Sequence, residues 1–195
     1  MTRYRYYVAS SLDGFIADRD GSLDWLLAFG MDEFAAGYRA FIAEVGAIVM
    51  GRSTYDFVHG EGPAAWDYVV PAWVLTNRVA EGVPGRDIRF RAASPAELRD
   101  ELEAAAGGRD VWLVGGGGLV AEFAAAGMLD ELIVSVMPVV LGAGAPLLPL
   151  ATNRSLELTG TTTFPSGAVE LRYRIAATGS APAGRPDADA VRGDE

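Results

Sequence analysis

VWLVGGGGLVAEFAAAG, residues 111–127, decides the fold. Val111–Val114 is a short apolar run that predicts a buried strand. Gly115–Gly118 permit a tight turn, and Leu119 onward predicts a helix that stops near Gly127. A strand that runs through glycines into a helix is a βα unit of an α/β sheet. The glycines let backbone approach a ligand, and the helix start offers free N–H groups and a positive dipole end to an anion. The same pattern also serves as a tight packing turn. It does not match G-x-G-x-x-G, because the last position counted from Gly115 is Val120. That mismatch argues against a Rossmann dehydrogenase preferring NADH.

The geometry recurs at IVMGRSTYDF, residues 48–57: apolar strand, Gly51, helix start. Arg52 can grip a phosphate as a fork, with Ser53 and Thr54 adding hydroxyl donors. The bland alternative is a hydroxyl N-cap beside an exposed arginine. Two such turns in one domain point to a ligand with more than one phosphate, such as a dinucleotide. A third turn, Thr76-Asn77-Arg78, follows the strand ending VLT, and either meets a further phosphate or is a polar loop.

The flanking segments complete an alternating pattern. Arg3–Ser10 is β-rich and ends in Ser11-Leu12-Asp13-Gly14, a turn signal. Asp13 is placed either in the cleft at a strand end or as a local cap of its turn. Phe34, Tyr38, Phe41, Ile42 and Val45 follow the helical period, with Asp32 as N-cap and Gly46 as terminator. Ala47–Met50, Trp73–Thr76, Ile88–Phe90 and Leu132–Val136 read as strands. Ser94-Pro95-Ala96-Glu97 is a capping box opening a helix to about Ala106. Leu156–Thr163 and Ala168–Ala176 read as an antiparallel hairpin. The expected class is α/β, with a twisted, mostly parallel sheet and an antiparallel C-terminal strand. In such sheets ligands bind at the carboxyl ends of the strands. His59, in a predicted loop, reads as exposed.

Composition narrows the chemistry. The 195 residues contain no cysteine, no lysine and one histidine. Disulfides, thiolate nucleophiles, Schiff-base lysines, cysteine-ligated metals and histidine-cluster metal sites are therefore excluded; no metal is expected. Sixteen arginines against 26 acidic residues give a net charge of −10, which disfavours nucleic acid and anionic membranes as partners. The N-terminal apolar run is too short for a signal peptide, so a cytoplasmic location is expected. Residues 1–178 are expected to form one domain, and 179–195, GSAPAGRPDADAVRGDE, a disordered acidic tail.

Taken in order, SLDGFIA, IVMGRSTYD, VLTN and the stretch from VWLVGGGG through PVVLGAGAPL resemble the dihydrofolate reductase-like superfamily. The nearer branch is the C-terminal reductase domain of the bifunctional riboflavin-biosynthesis deaminase-reductase. The resemblance covers about residues 3–176. It implies a three-layer fold with helices on both faces of the sheet, homodimerisation, and an NADPH-dependent reductase acting on a pyrimidine- or pteridine-type heterocycle or its ring-opened ribosyl conjugate. Through it, Gly51, Arg52, Ser53 and Thr54 map to the adenosine phosphate side of NADPH. Thr76 and Asn77 map beside the adenosine, and Arg78 to its 2′-phosphate. Gly115, Gly116, Gly117 and Gly118, with Leu119 and Val120, map to the pyrophosphate cradle. Asp13 maps to the substrate-lining acid of the riboflavin branch. The helix acid of folate-reducing members falls here in register with Ala35, with Glu33 and Asp32 near it. Trp25, Phe29 and Trp66 are lid, stacking or core residues, and Trp112 is core. Two alternatives stay open: dihydrofolate reductase activity proper, and a nucleotide-binding pseudoenzyme without turnover.

Overall fold

Alternation sorts each central strand between two faces, and helices cover both. The structure, a computed structural model, describes residues 1–62, 65–78 and 80–175. The expected tail, 179–195, and the end of the expected domain, 176–178, lie outside the described residues. In chain order the elements are β1 (Tyr4–Ser11), β2 (Phe15–Ala17), α1 (Asp24–Leu27), a 3-10 turn (Asp32–Phe34), α2 (Ala35–Ala43), β3 (Val45–Gly51) and α3 (Arg52–Gly60). There follow β4 (Ala72–Leu75), β5 (Ile88–Arg91), α4 (Pro95–Ala106), β6 (Asp110–Gly115), α5 (Gly117–Ala125), β7 (Glu131–Met137), β8 (Ala145–Pro146), β9 (Leu156–Thr163) and β10 (Val169–Ile175).

Eight strands make one sheet in the order β5-β4-β3-β6-β1-β7-β10-β9. From β5 to β7 all neighbours are parallel; β10 runs antiparallel to both β7 and β9. Tyr4, Tyr6, Val49, Leu113 and Leu132 point to one face and pack with Leu98, Leu102 and Phe123 of α4 and α5. Ile48, Met50, Trp112 and Ile133 point to the other, with Phe41 of α2 and Tyr55 of α3. This period of two is what parallel strands buried on both faces require. The expected α/β, three-layer architecture is what the chain adopts.

The capping box at Ser94 forms, with the Glu97 carboxylate accepting from the Ser94 amide at 2.8 Å, and Gly107 ends α4 at a φ of 60°. The expected start and stop of α2 do not. Asp32 begins the 3-10 turn, α2 opens after Phe34 without a side-chain cap, and Val45 and Gly46 already belong to β3. Gly46 is needed there for packing: a Cβ would lie 2.2 Å from the Ala106 carbonyl oxygen. His59 lies in the last turn of α3, exposed and stacked on Tyr55, not in a loop.

At the amino ends of the strands, Arg5 is 3% exposed and pairs with Glu131, with Glu44 at 2.5 Å and with Asp110 at 3.1 Å. The opposite, carboxyl ends of β1, β3 and β6 open into the site.

Candidate active site

β3 and β6 are neighbours, and each runs straight into a helix. Gly51 precedes α3 and Gly116 precedes α5, both with extended backbone and no side-chain cap. The first-turn amides of both helices are therefore uncapped by side chains and open to an anion. They face one cleft of about 530 Å³, lined by Gly51–Thr54 and Gly115–Leu119. Its outer wall comes from Ile16, Ala17, Leu23 and Leu26 and from Ala145 and Pro146. Those wall segments are joined by the small sheet of β2 with β8.

The glycines of the run divide by cause. A Cβ on Gly117 would lie 2.3 Å from the Pro146 carbonyl oxygen, so this glycine serves packing. Gly115 has a φ of 151°, which side chains rarely adopt. Gly118 has nothing within 4 Å of its ideal Cβ position, and Gly116 meets only Ile16 Cδ1 at 3.7 Å. Protein packing demands neither, yet both line the cleft. Bare backbone beside two open helix starts is the donor set a dinucleotide's phosphates require, so these residues fit NADPH.

Arg52 sits at the rim, donating to Asp56 at 2.7 Å and to the Arg78 carbonyl at 3.3 Å. Part of its fork stays available. Through that carbonyl it touches the Thr76-Asn77-Arg78 turn, which does not itself line the cleft. The Thr76 hydroxyl accepts from the Arg78 amide at 3.1 Å. Val120, mapped to the cradle through the resemblance, does not line the cleft. It is fully buried in the core beneath α5, and its amide bonds the Gly116 carbonyl, because helical geometry turns it toward the sheet.

A second cavity, about 180 Å³, adjoins the first; Val8, Ala9 and Leu26 line both. Its walls are Tyr7, Tyr38 and Trp112, with Met31 and Phe34 from the 3-10 turn and Ser135 and Met137 from β7. Among the described residues, none that is charged lines it. Burial, and then the nearby charge of Glu170, push the Tyr7 hydroxyl up to about 12. Burial, with a smaller contribution from Asp67, does the same for Tyr38. Both remain protonated at neutral pH.

The three acids singled out in the sequence lie around these cavities and line neither. Asp13 is exposed and accepts from the Ser11 hydroxyl at 2.7 Å and from the amides of Leu141 and Gly142 at 3.0 and 2.7 Å. Those bonds hold its carboxyl below the usual value, the Ser11 hydroxyl contributing most. Asp32 is exposed. Glu33 Oε2 accepts from the Ser166 amide at 3.2 Å, while Oε1 is buried without a partner among the described residues. Trp25 and Phe29 pack beside Phe34 and Met137, near the small cavity, whereas Trp66 is 2% exposed core. Trp112 is buried as expected and is also a cavity wall.

Tyr7, Tyr38, Ser135 and Trp112 were not legible as site residues. The available signal was parity: Tyr7 and Ala9 share a face near the end of β1, and register sets Ala9 opposite Ser135.

The RibD C-terminal domain model matches residues 5–169. The chain is 38% identical to protein YwjB of Bacillus subtilis (strain 168), over 86% of this chain and 94% of that one. A crystal structure from Shewanella sp. PV-4, of a protein named for riboflavin biosynthesis, superposes with a TM-score of 0.79 at 26% identity. The match covers 90% of this chain and all of that one. Dihydrofolate reductase from Enterococcus faecalis shares the fold, with a TM-score of 0.57 at 15% identity over 90% and 97% of the two chains. The described residues contain no helix long and apolar enough to cross a membrane. With its strand order, paired helix starts and matched residues in agreement, the chain belongs to the RibD C-terminal domain family, a reductase-type family on the dihydrofolate reductase-like fold.

Proposed function

We propose that this chain is an NADPH-dependent reductase acting on a C=N or C=O bond of a small pyrimidine- or pteridine-type heterocycle or its ring-opened ribosyl conjugate. The junction of the two cavities carries the reading. Val8, Ala9 and Leu26 are shared, so a nucleotide laid over α3 and α5 ends against a ring held among Tyr7, Tyr38 and Trp112. When bound, NADPH supplies a hydride.

The chain's own groups do the rest. The amides opening α3 and α5 hold phosphates, with Ser53 and Thr54 hydroxyls beside them and Arg52 at the rim. Thr76, Asn77 and Arg78, tied to Arg52, flank the adenosine end. Ile16, Leu23 and Leu26 exclude water where the rings meet. Glu33, between the cavity walls Met31 and Phe34, supplies the proton through an ordered water, its Oε1 having no partner among the described residues. Asp13 is committed to amides and serves the site by holding the loop. No cation among the described residues lines the small cavity, so unphosphorylated rings are the substrates to try first.

One observation favours a second reading, nucleotide binding without turnover: no carboxylate among the described residues lines the small cavity. The test is NADPH consumption by the purified protein with a panel of dihydropteridines and aminouracils. Substrate-dependent oxidation supports the reductase; saturable NADPH binding with no oxidation across the panel supports the second reading. We further propose a cytoplasmic homodimer. The eight residues of the β9 edge, with Leu156 and Leu158 exposed, are the surface to examine.

A further inference from the structure

The small cavity holds about 180 Å³, roughly six waters' share of liquid volume, which is room for a ring and little more. Whatever is attached to the ring leaves through the mouth. The mouth therefore decides which substituents the site accepts.

Met31 marks that mouth, because it lines the small cavity and is 55% exposed. Phe57 has the same character in the large cleft, which it lines at 41% exposure. Its neighbours on α3, Tyr55 and Val58, pack into the core. Helical phase turns Phe57 the other way, onto the face of Ser53 and Thr54 that looks into the cleft. Leu26 lines both cavities and joins the two openings. Single exposed apolar side chains are ordinary on a protein surface. Two at the mouths of adjoining cavities, with a third between them, make an apolar rim open to water.

Charge points the same way. The segment 21–38, which supplies Leu26, Met31 and Phe34 to the cavities, contains Asp24, Asp32 and Glu33 and no base. Arg39, the next base, belongs to neither lining. Arg52 lines the large cleft, beside the helix start that takes cofactor phosphate. A phosphate or carboxylate leaving the small cavity would meet a wall that carries acids and offers it no partner. A polyhydroxy chain laid on Met31 and Phe57 would give up bonds to water and gain none. An aryl or alkyl group gives up nothing and covers both side chains.

We propose that the substrate's ring carries an uncharged apolar substituent, aryl or alkyl, and that Met31 and Phe57 select it. The proposal rests on the reading of the small cavity as the ring site and narrows it, setting aside ribosyl and phosphorylated conjugates. Both residues contact the ligand and set specificity; neither takes part in the hydride or proton step.

The test titrates the full chain, saturated with NADP⁺ so that nothing turns over, with 6-(benzylamino)uracil, 6-(ribitylamino)uracil and the 5′-phosphate of the latter. Calorimetry should show the benzyl probe bound about tenfold or more tightly than the ribityl probe, the order that part-burial of one phenyl group gives, and the phosphate bound weakest. Met31→Gln and Phe57→Gln alter exposed positions, and each should cut the benzyl-to-ribityl ratio by about threefold or more. A general loosening of the site would instead lower both affinities together. Equal or tighter binding of the ribityl probe or its phosphate by the native protein overturns the proposal, as does a benzyl preference unmoved in both variants. Binding of none of the three to the NADP⁺ complex overturns it and leaves the cofactor reading standing. Failure to take up NADP⁺ with the benzyl preference intact sinks the reductase reading and leaves this assignment in place.

Discussion

The Asp13 carboxylate accepts a 2.7 Å hydrogen bond from the amide of Gly142, 129 residues further along the chain. Together with the Leu141 amide and the bond from the Leu147 amide to the Gly14 carbonyl, it fastens the loop after β1 to the loop after β7. That fastened loop carries Ile16 and Ala17, the outer wall of the large cleft.

Asp13→Ala should therefore loosen the wall, raising the KM for NADPH roughly tenfold or less while the pH profile of kcat keeps its shape. A shifted kcat profile would return Asp13 to the reacting groups. The pH dependence has a definite sign. The folded carboxyl lies below its ordinary 3.8, so the tie is at full strength above that value and is lost as pH falls through the lowered one. Native protein should hold its nucleotide affinity down to about pH 4 better than Asp13→Ala does.

Gly117 and Gly118 should respond oppositely to alanine. At Gly117 the new Cβ meets backbone oxygens of Pro146 and Leu147 at 2.3 and 2.6 Å, and overpacking of this kind costs about 1–3 kcal/mol. At Gly118 the Cβ meets nothing within 4 Å, and an alanine in the first turn of α5 should raise stability by about 0.5 kcal/mol. The same methyl would occupy the cradle and weaken NADPH binding. Thermal unfolding and a nucleotide titration on both variants check this; a Gly118→Ala protein that binds NADPH normally would mean the glycine is not kept bare for the cofactor.

Arg5 is the charge the fold can least lose. With the side chain nearly buried between Glu131, Glu44 and Asp110, Arg5→Ala takes the partner from Glu131 while Arg3 stays paired with Asp110 and Glu44, and should cost about 1–3 kcal/mol in urea unfolding. A cost under about 1 kcal/mol would show the cluster to be solvated in effect.

The sequence disclosed what depends on local order. Val111–Leu113 and Ala47–Met50 are strands because short apolar runs between turn signals have few other outcomes, and Ser94 to Glu97 caps a helix by its own residues. What it hid depends on remote partners. Gly46 reads as a helix stop, yet its identity is set by the Ala106 carbonyl 60 residues away in sequence. Asp13 reads as a substrate acid, and its partners are amides near residue 141. Tyr7 looks like any strand tyrosine until α2 and β6 bring Tyr38 and Trp112 to the same cavity. The glycine turns at the cleft were legible because they are local backbone; the small cavity was not, because it is assembled from β1, α2, β6 and β7.

The central claim is that the paired helix starts bind NADPH. Titration of the purified protein with NADPH and, separately, NADH, followed by tryptophan fluorescence, tests it most directly. The account predicts saturable quenching by NADPH, about tenfold or more weaker binding of NADH, and marked weakening of NADPH binding by Arg52→Ala. Binding of neither nucleotide would contradict it and leave the glycine turns as packing features alone.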